Sequence, residues 1–252
     1  MRTIKILFIV LLMISTGSVS AQTVDEIIDN YIENTGGLEA WNNLESAKFV
    51  GSASGQGMDI PVVMVQTIDG KQHLTVTFQG QEFVQFAFDG ETMWSTNFMT
   101  MLPEKNDNET TDIMKKQSRD FPTPFLNYKD KGFTVELLGN ETMEGIDTFK
   151  VQLTQEPVMV DGKEEPNVSY YYFDTENFVP IAVESVVRQG PMKGQTAKTT
   201  FSDYDEVDGL YFAFSMNMNG QPITFTEIVL NPEIDGSIFN FPEVIPETEE
   251  KK

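Results

Sequence analysis

Hydrophobic and polar residues alternate with a period of two through most of this 252-residue chain, the pattern of strands with one buried face. The clearest run lies between Val168 and Leu230. Val168–Asp174, Ile181–Arg188, Gln195–Tyr204, Leu210–Met218 and Ile223–Leu230 each read as a strand. The joints are Asp174-Thr-Glu-Asn177, Gln189-Gly-Pro-Met-Lys-Gly194, Asp205-Glu-Val-Asp-Gly209 and Asn219-Gly-Gln-Pro222. All four are rich in residues that tolerate left-handed or kinked backbone. No helix separates them, so the run predicts an antiparallel meander; a parallel pair would need a crossover of about a dozen residues.

The earlier half reads similarly. Ala47–Ser54 is rich in Gly and Ser and reads as a weak or edge strand. Ile60–Ile68 runs into a turn at Asp69-Gly70. Lys71–Phe78 places Leu74, Val76 and Phe78 on one face and His73, Thr75 and Thr77 on the other. Glu82–Phe88 puts Val84, Phe86 and Phe88 together, and Glu91–Phe98 follows. Phe133–Leu138 and Thr148–Thr154 are further strands, with Gly139–Gly145 and Asp161–Asn167 read as surface turns. The reading amounts to ten or eleven strands in one domain. A sheet that wide splits, closes or curls around an interior, so the predicted class is mainly β (α+β), an unclosed antiparallel β-barrel.

Two stretches break the alternation. At the start, Val24, Ile27, Ile28, Tyr31 and Ile32 form a helical stripe, with Thr23 and Glu26 as a capping box. Gly36-Gly37 ends that helix, and a short second one, Leu38–Leu44, points Trp41 inward. Between Met99 and Lys131 lie a helical stretch, Thr110–Arg119, and the segment Phe121-Pro-Thr-Pro-Phe-Leu126. An insertion of about 30 residues inside a meander is a lid or binding loop, or a structural cap over an open barrel end.

The extreme ends change the picture. Arg2 and Lys5, the apolar run Ile6–Ile14 and Val19-Ser-Ala21 predict a signal peptide over 1–21, cleaved after Ala21. That run is too short to span a bilayer. A single domain over 22–242 and a disordered acidic tail, 243–252, complete the expected organisation. The chain contains no Cys, which excludes disulfides and lipidation behind the signal, and the expected location is the periplasm. The net charge of −22, made more negative by losing Arg2 and Lys5, excludes nucleic acid as a partner.

Candidate chemistry is sparse. The only His, His73, sits on the polar face of a strand without a G-x-S-x-G elbow, and reads as solvated. Asp203, Asp205, Glu206 and Asp208 fail the register of a calcium loop, because positions five and six are Val207 and Asp208. No cofactor, metal or catalytic residue is expected. The apolar inventory says more. Phe212, Phe214, Met216 and Met218 share one strand face, and with Phe86, Phe88 and Trp94 they are the expected cavity walls. Met99, Met101, Leu102, Phe121, Phe125 and Leu126 are the expected lid. Flexible thioethers suit variable greasy ligands and also fill irregular cores. A curled sheet lined this way would enclose an apolar pocket.

Four segments taken together carry a resemblance. They are Tyr31-Ile-Glu-Asn-Thr-Gly-Gly37, Gly139-Asn-Glu-Thr-Met-Glu-Gly-Ile-Asp-Thr-Phe-Lys150, Tyr170-Tyr-Tyr-Phe-Asp-Thr-Glu-Asn-Phe-Val-Pro-Ile-Ala-Val-Glu184 and Phe201-Ser-Asp-Tyr-Asp-Glu-Val-Asp-Gly-Leu-Tyr-Phe212. In these the chain resembles the LolA/LolB-like family of outer-membrane lipoprotein-sorting proteins. The resemblance implies an unclosed barrel draped over helices, an apolar cavity for acyl chains, and a lipid or acylated lipoprotein as partner. The family's carrier keeps an Arg on an early inner strand; residues 46–70 here contain none, so no site residue carries over. The expectation is a periplasmic carrier. The alternative is a filled barrel, non-enzymatic, that recognises an envelope protein through its surface or an edge strand.

Overall fold

The computed structural model describes residues 22–55 and 57–242. The expected signal peptide and acidic tail lie outside these residues. The alternating segments form β1 (Ser46–Gly55), β2 (Met58–Thr67), β3 (Gln72–Phe78), β4 (Gln81–Phe88), β5 (Met93–Asn97), β6 (Leu102–Lys105) and β7 (Thr134–Met143). The rest are β8 (Ile146–Val160), β9 (Lys163–Asp174), β10 (Pro180–Val186), β11 (Thr196–Val207), β12 (Leu210–Met218) and β13 (Gln221–Leu230). All belong to one antiparallel sheet in the order β6-β5-β4-β3-β2-β1-β13-β12-β11-β10-β9-β8-β7. The edges β6 and β7 do not pair, so the barrel stays open.

The strands number thirteen among the described residues rather than ten or eleven. Leu102–Lys105, assigned to the lid on sequence, pairs with β5 as a strand. The segments 139–145 and 161–167 are mostly strand as well, because β7, β8 and β9 continue to tight turns at Glu144-Gly145 and Asp161-Gly162.

β1 is not an edge strand. It lies mid-sheet, between β2 and β13, and its small residues are what a close approach requires. A register shift between Val50 and Gly51 inserts an extra residue on β13. A Cβ on Gly51 would stand 2.2 Å from the Thr224 carbonyl oxygen, so the bulge needs glycine there. A second shift pairs Leu74 with Phe86 and Thr75 with Val84, leaving Gln85 extra. Phe83, Phe86 and Phe88 therefore share a face with Leu74 and Val76, and Val84 turns to the other side.

The inner face of the sheet packs on α1 (Val24–Asn34) and α2 (Leu38–Asn42). The expected stripe of α1 is buried, and the capping box forms: Thr23 N–H donates to Glu26 Oε2 at 2.8 Å and Glu26 N–H to Thr23 Oγ1 at 3.2 Å. Trp41 is buried, and its Nε1 donates to Thr35 Oγ1 at 3.0 Å. These helices join Phe49, Phe149, Val151, Leu153, Phe173, Phe225 and Ile228 in one core.

The crossover from β6 to β7 spans the open seam. α3 (Asn108–Gln117) buries Ile113 against Val158 and Val160 of β8. Lys115 reaches Glu91, beside β5, at 2.8 Å. A 3-10 turn, Ser118–Asp120, then delivers Phe121, Phe125, Leu126 and Tyr128 into the core. The far end of the described chain forms a strap. Its 3-10 turn Gly236–Phe239 lies on β3 and β4, on the outer face.

Candidate functional site

Two cavities follow one another along the inner face of β1 and β2. The first, ≈ 390 Å³, lies between the crossover and the sheet. Its sheet wall is Phe49, Met64, Phe201, Phe212, Met216 and Phe225; its crossover wall is Gln117, Asp120 and Phe121–Pro124. The second, ≈ 670 Å³, is lined by Ala53, Ile60, Val62, Val76, Phe78, Phe83, Phe98 and Met101, with Gln79, Gln81, Gln85 and Gln221. The ladder pairs Phe49 with Met64, Gly51 with Val62 and Ala53 with Ile60. Alternate residues point to one face, so the two cavities share one stripe and form a trough.

The trough runs toward the strand end where β1–β2, β3–β4, β5–β6 and β12–β13 make their turns. Exposed apolar side chains gather there: Met58, Phe78, Phe98, Met99, Met101, Leu102 and Met218.

The expected walls and lid divide into several groups. Phe212 and Met216 line the first cavity, and Phe121 closes it. Phe214 packs against the core beside them. Met218, 46 % exposed, has run out of the interior at the turn. Phe86 lies half-buried on the inner face, and Phe88 is fully buried at 0 % exposure. Trp94 is not a wall. It pairs with Ala87 on the opposite face, its Nε1 donates to the Phe239 carbonyl at 3.0 Å, and its ring meets Phe241. His73 stands on that face too, edge-on to Phe239. It is half-buried rather than solvated, and burial lowers its pKa.

The expected lid is two separate structures. Met99, Met101 and Leu102 form the tip of the β5–β6 hairpin; Met101 lines the second cavity, while Met99 is 95 % exposed. Phe125 and Leu126 are a plug. Phe125 meets Tyr171 and Phe173 edge to face with centroids 4.8 and 5.1 Å apart.

Sequence reasoning missed the polar side of the first cavity. Asp120 faces it from the 3-10 turn, and burial pushes its carboxyl up to about 6, against the pull of Gln155, Lys131 and Arg119. Lys131 is lowered to about 8 by its own burial, and its ammonium donates to the Thr123 carbonyl at 3.1 Å. Tyr31, Tyr171, Tyr204 and Tyr211 also line this cavity, and Tyr204 Oη donates to the Pro180 carbonyl at 2.6 Å. Asp120 follows a basic helix end in the sequence, Lys115-Lys-Gln-Ser-Arg119, which reads as a solvated surface. Only the dive of Phe121 into the core buries it.

An open antiparallel barrel draped over two helices is the fold of LolA-like proteins. Solved structures agree. A LolA superfamily protein from Nitrosomonas europaea superposes with a TM-score of 0.53 at 12 % identity, over 87 % of this chain and 98 % of that one. A structure described as an outer membrane lipoprotein-sorting protein domain, from Vibrio parahaemolyticus, gives 0.50 at 12 % identity, over 85 % and 95 %. At these identities the likeness is one of fold. No family model and no curated protein matches the sequence. Among the described residues no helix is long and apolar enough to cross a membrane.

Proposed function

We propose that this protein is a carrier, working in the periplasm after export, that shelters a lipid or the acyl chains of a lipoprotein in its trough. The observation that carries the reading is the pair of cavities on one inner face, walled by Phe, Met and Val, in an interior otherwise packed with aromatic side chains. Each methylene withdrawn from water there contributes about 0.8 kcal/mol, so an acyl chain supplies its own driving force without charged contacts. The LolA-type architecture and the sorting role in the description of the Vibrio structure support the same reading. The role requires binding and release, with no chemical step.

Native mass spectrometry of the gently purified protein tests it. The expected result is a co-purified amphiphile, lost in a folded Met64→Asp/Met216→Asp variant. A folded variant that retained the same adduct would sink the reading.

A second reading, a filled barrel acting as an interaction module, draws on the crossover. Phe121, Phe125 and Leu126 occupy the interior where a larger cavity would otherwise lie. A protein that stays bare in every mild extraction would favour it.

A further inference from the structure

The lining of the first cavity joins a wall of Phe and Met to Gln66, Gln117, Asp120, Thr123 and four tyrosines, and the charge among them selects a ligand head. Its lining contains no Lys, Arg or His, and Asp120 is its one charged side chain. Asp120 Oδ1 accepts from Gln155 Nε2 at 2.5 Å; Oδ2 has no protein partner among the described residues. Across from it on β9, Tyr171 is fixed between Phe125 and Phe173 and feels the Asp120 carboxylate. Tyr171 lines the cavity, and its hydroxyl likewise has no hydrogen-bond partner among the described residues. Both residues are only partly buried, and an acceptor and a hydroxyl without protein partners beside one apolar wall are positioned to take a hydrogen-bonding head group.

The neighbouring cations do not alter its sign. Arg119 is paired with Glu156 at 2.6 Å, and Lys131 is tied to the Thr123 carbonyl. Neither lines the cavity. The second cavity adds only neutral glutamine amides to its apolar wall.

Resting on the carrier reading, we propose that the trough takes amphiphiles whose head is uncharged or cationic and carries a hydrogen-bond donor. A hydroxyl or an ammonium would donate to Asp120, and a hydroxyl would also accept from Tyr171, with the apolar part running past Phe49 and Met64 toward Ala53 and Ile60. Free fatty acids and phosphate monoesters are excluded. Their anionic heads would sit against the Asp120 carboxylate in a lining that holds no cationic side chain.

Four oleoyl probes sharing one apolar chain test this on the delipidated protein at pH 8, below micellar concentrations. They are monooleoylglycerol, oleylamine, oleate and oleoyl lysophosphatidate, each displacing a neutral fluorescent dye. The first two are expected to displace the dye at concentrations at least about tenfold lower than the last two, a gap of about 1.4 kcal/mol. In Asp120→Asn the gap between oleylamine and oleate should close, while monooleoylglycerol binding persists. Oleate binding as tightly as monooleoylglycerol to the unaltered protein would overturn the head-group proposal and leave the carrier reading standing. No displacement by any of the four would overturn both.

Discussion

Trp41 and Phe212 meet edge to face, with ring centroids 5.4 Å apart and planes at 64°. Phe212 in turn meets Phe49 at 6.1 Å. The second helix therefore touches the cavity wall through a single aromatic contact. Trp94, the other tryptophan, stands on the far face under the strap.

This separation makes Trp41 a reporter. In a Trp94→Phe protein, filling the first cavity should shift the emission of Trp41, because Phe212 and Phe49 change their surroundings. In Trp41→Phe the remaining Trp94 emission should stay constant on addition of the same probe. A titration of both variants checks this; a response from Trp94 alone would place the ligand elsewhere.

Walls and core should respond differently to truncation. Phe173 is fully buried among Tyr31, Phe125 and Tyr171, so Phe173→Ala should cost about 3–5 kcal/mol of stability. Phe212 is only half-buried because one side faces the cavity. Phe212→Ala should cost roughly half as much yet weaken ligand binding at least as strongly. Urea unfolding and dye binding on both variants measure the contrast.

Asp120 gives the fold a pH dependence of known sign. Its carboxyl ionises near 3.8 when exposed and at about 6 in the fold. The folded protein thus holds a proton that the unfolded chain has released, and stability falls as pH rises from about 4 to about 6. The neighbouring Lys131 and Arg119 limit the penalty. Asp120→Asn should therefore gain about 1–3 kcal/mol at pH 7 and flatten the curve between pH 4 and 6. Thermal unfolding across that range is the measurement, and an equally steep curve in the variant would show that another group is responsible.

Gly51 carries the bulge that brings Phe225 beside Phe49, 5.4 Å between centroids. With the Thr224 carbonyl 2.2 Å from a built Cβ, Gly51→Ala must part β1 from β13. The expected cost is about 3 kcal/mol or more, whereas Met99→Ser, at the exposed hairpin tip, should stay within about 0.5 kcal/mol. Denaturant midpoints of the two variants decide it.

Much of this fold is written in local pattern. The period-two runs with their Gly, Asn and Asp joints determine the meander from β9 to β13, since hydrogen bonding between consecutive strands needs only a turn. The stripe and capping box of α1 likewise determine that helix and its buried face, because both act within a few residues. The apolar and methionine-rich character of the sheet also marks a greasy interior. The tertiary structure decided what depends on distant partners. β1 is central rather than peripheral because Thr224 and Phe225, far along the chain, approach Gly51. Trp94 faces outward because the β4–β5 turn sets it opposite Ala87 rather than Phe88, and the strap covers that face. Phe125 and Leu126 fill the core instead of closing over it, since the crossover must bridge two unpaired edges. Asp120 becomes the polar pole of a cavity only when that crossover carries it out of water, a displacement that no spacing along the chain records.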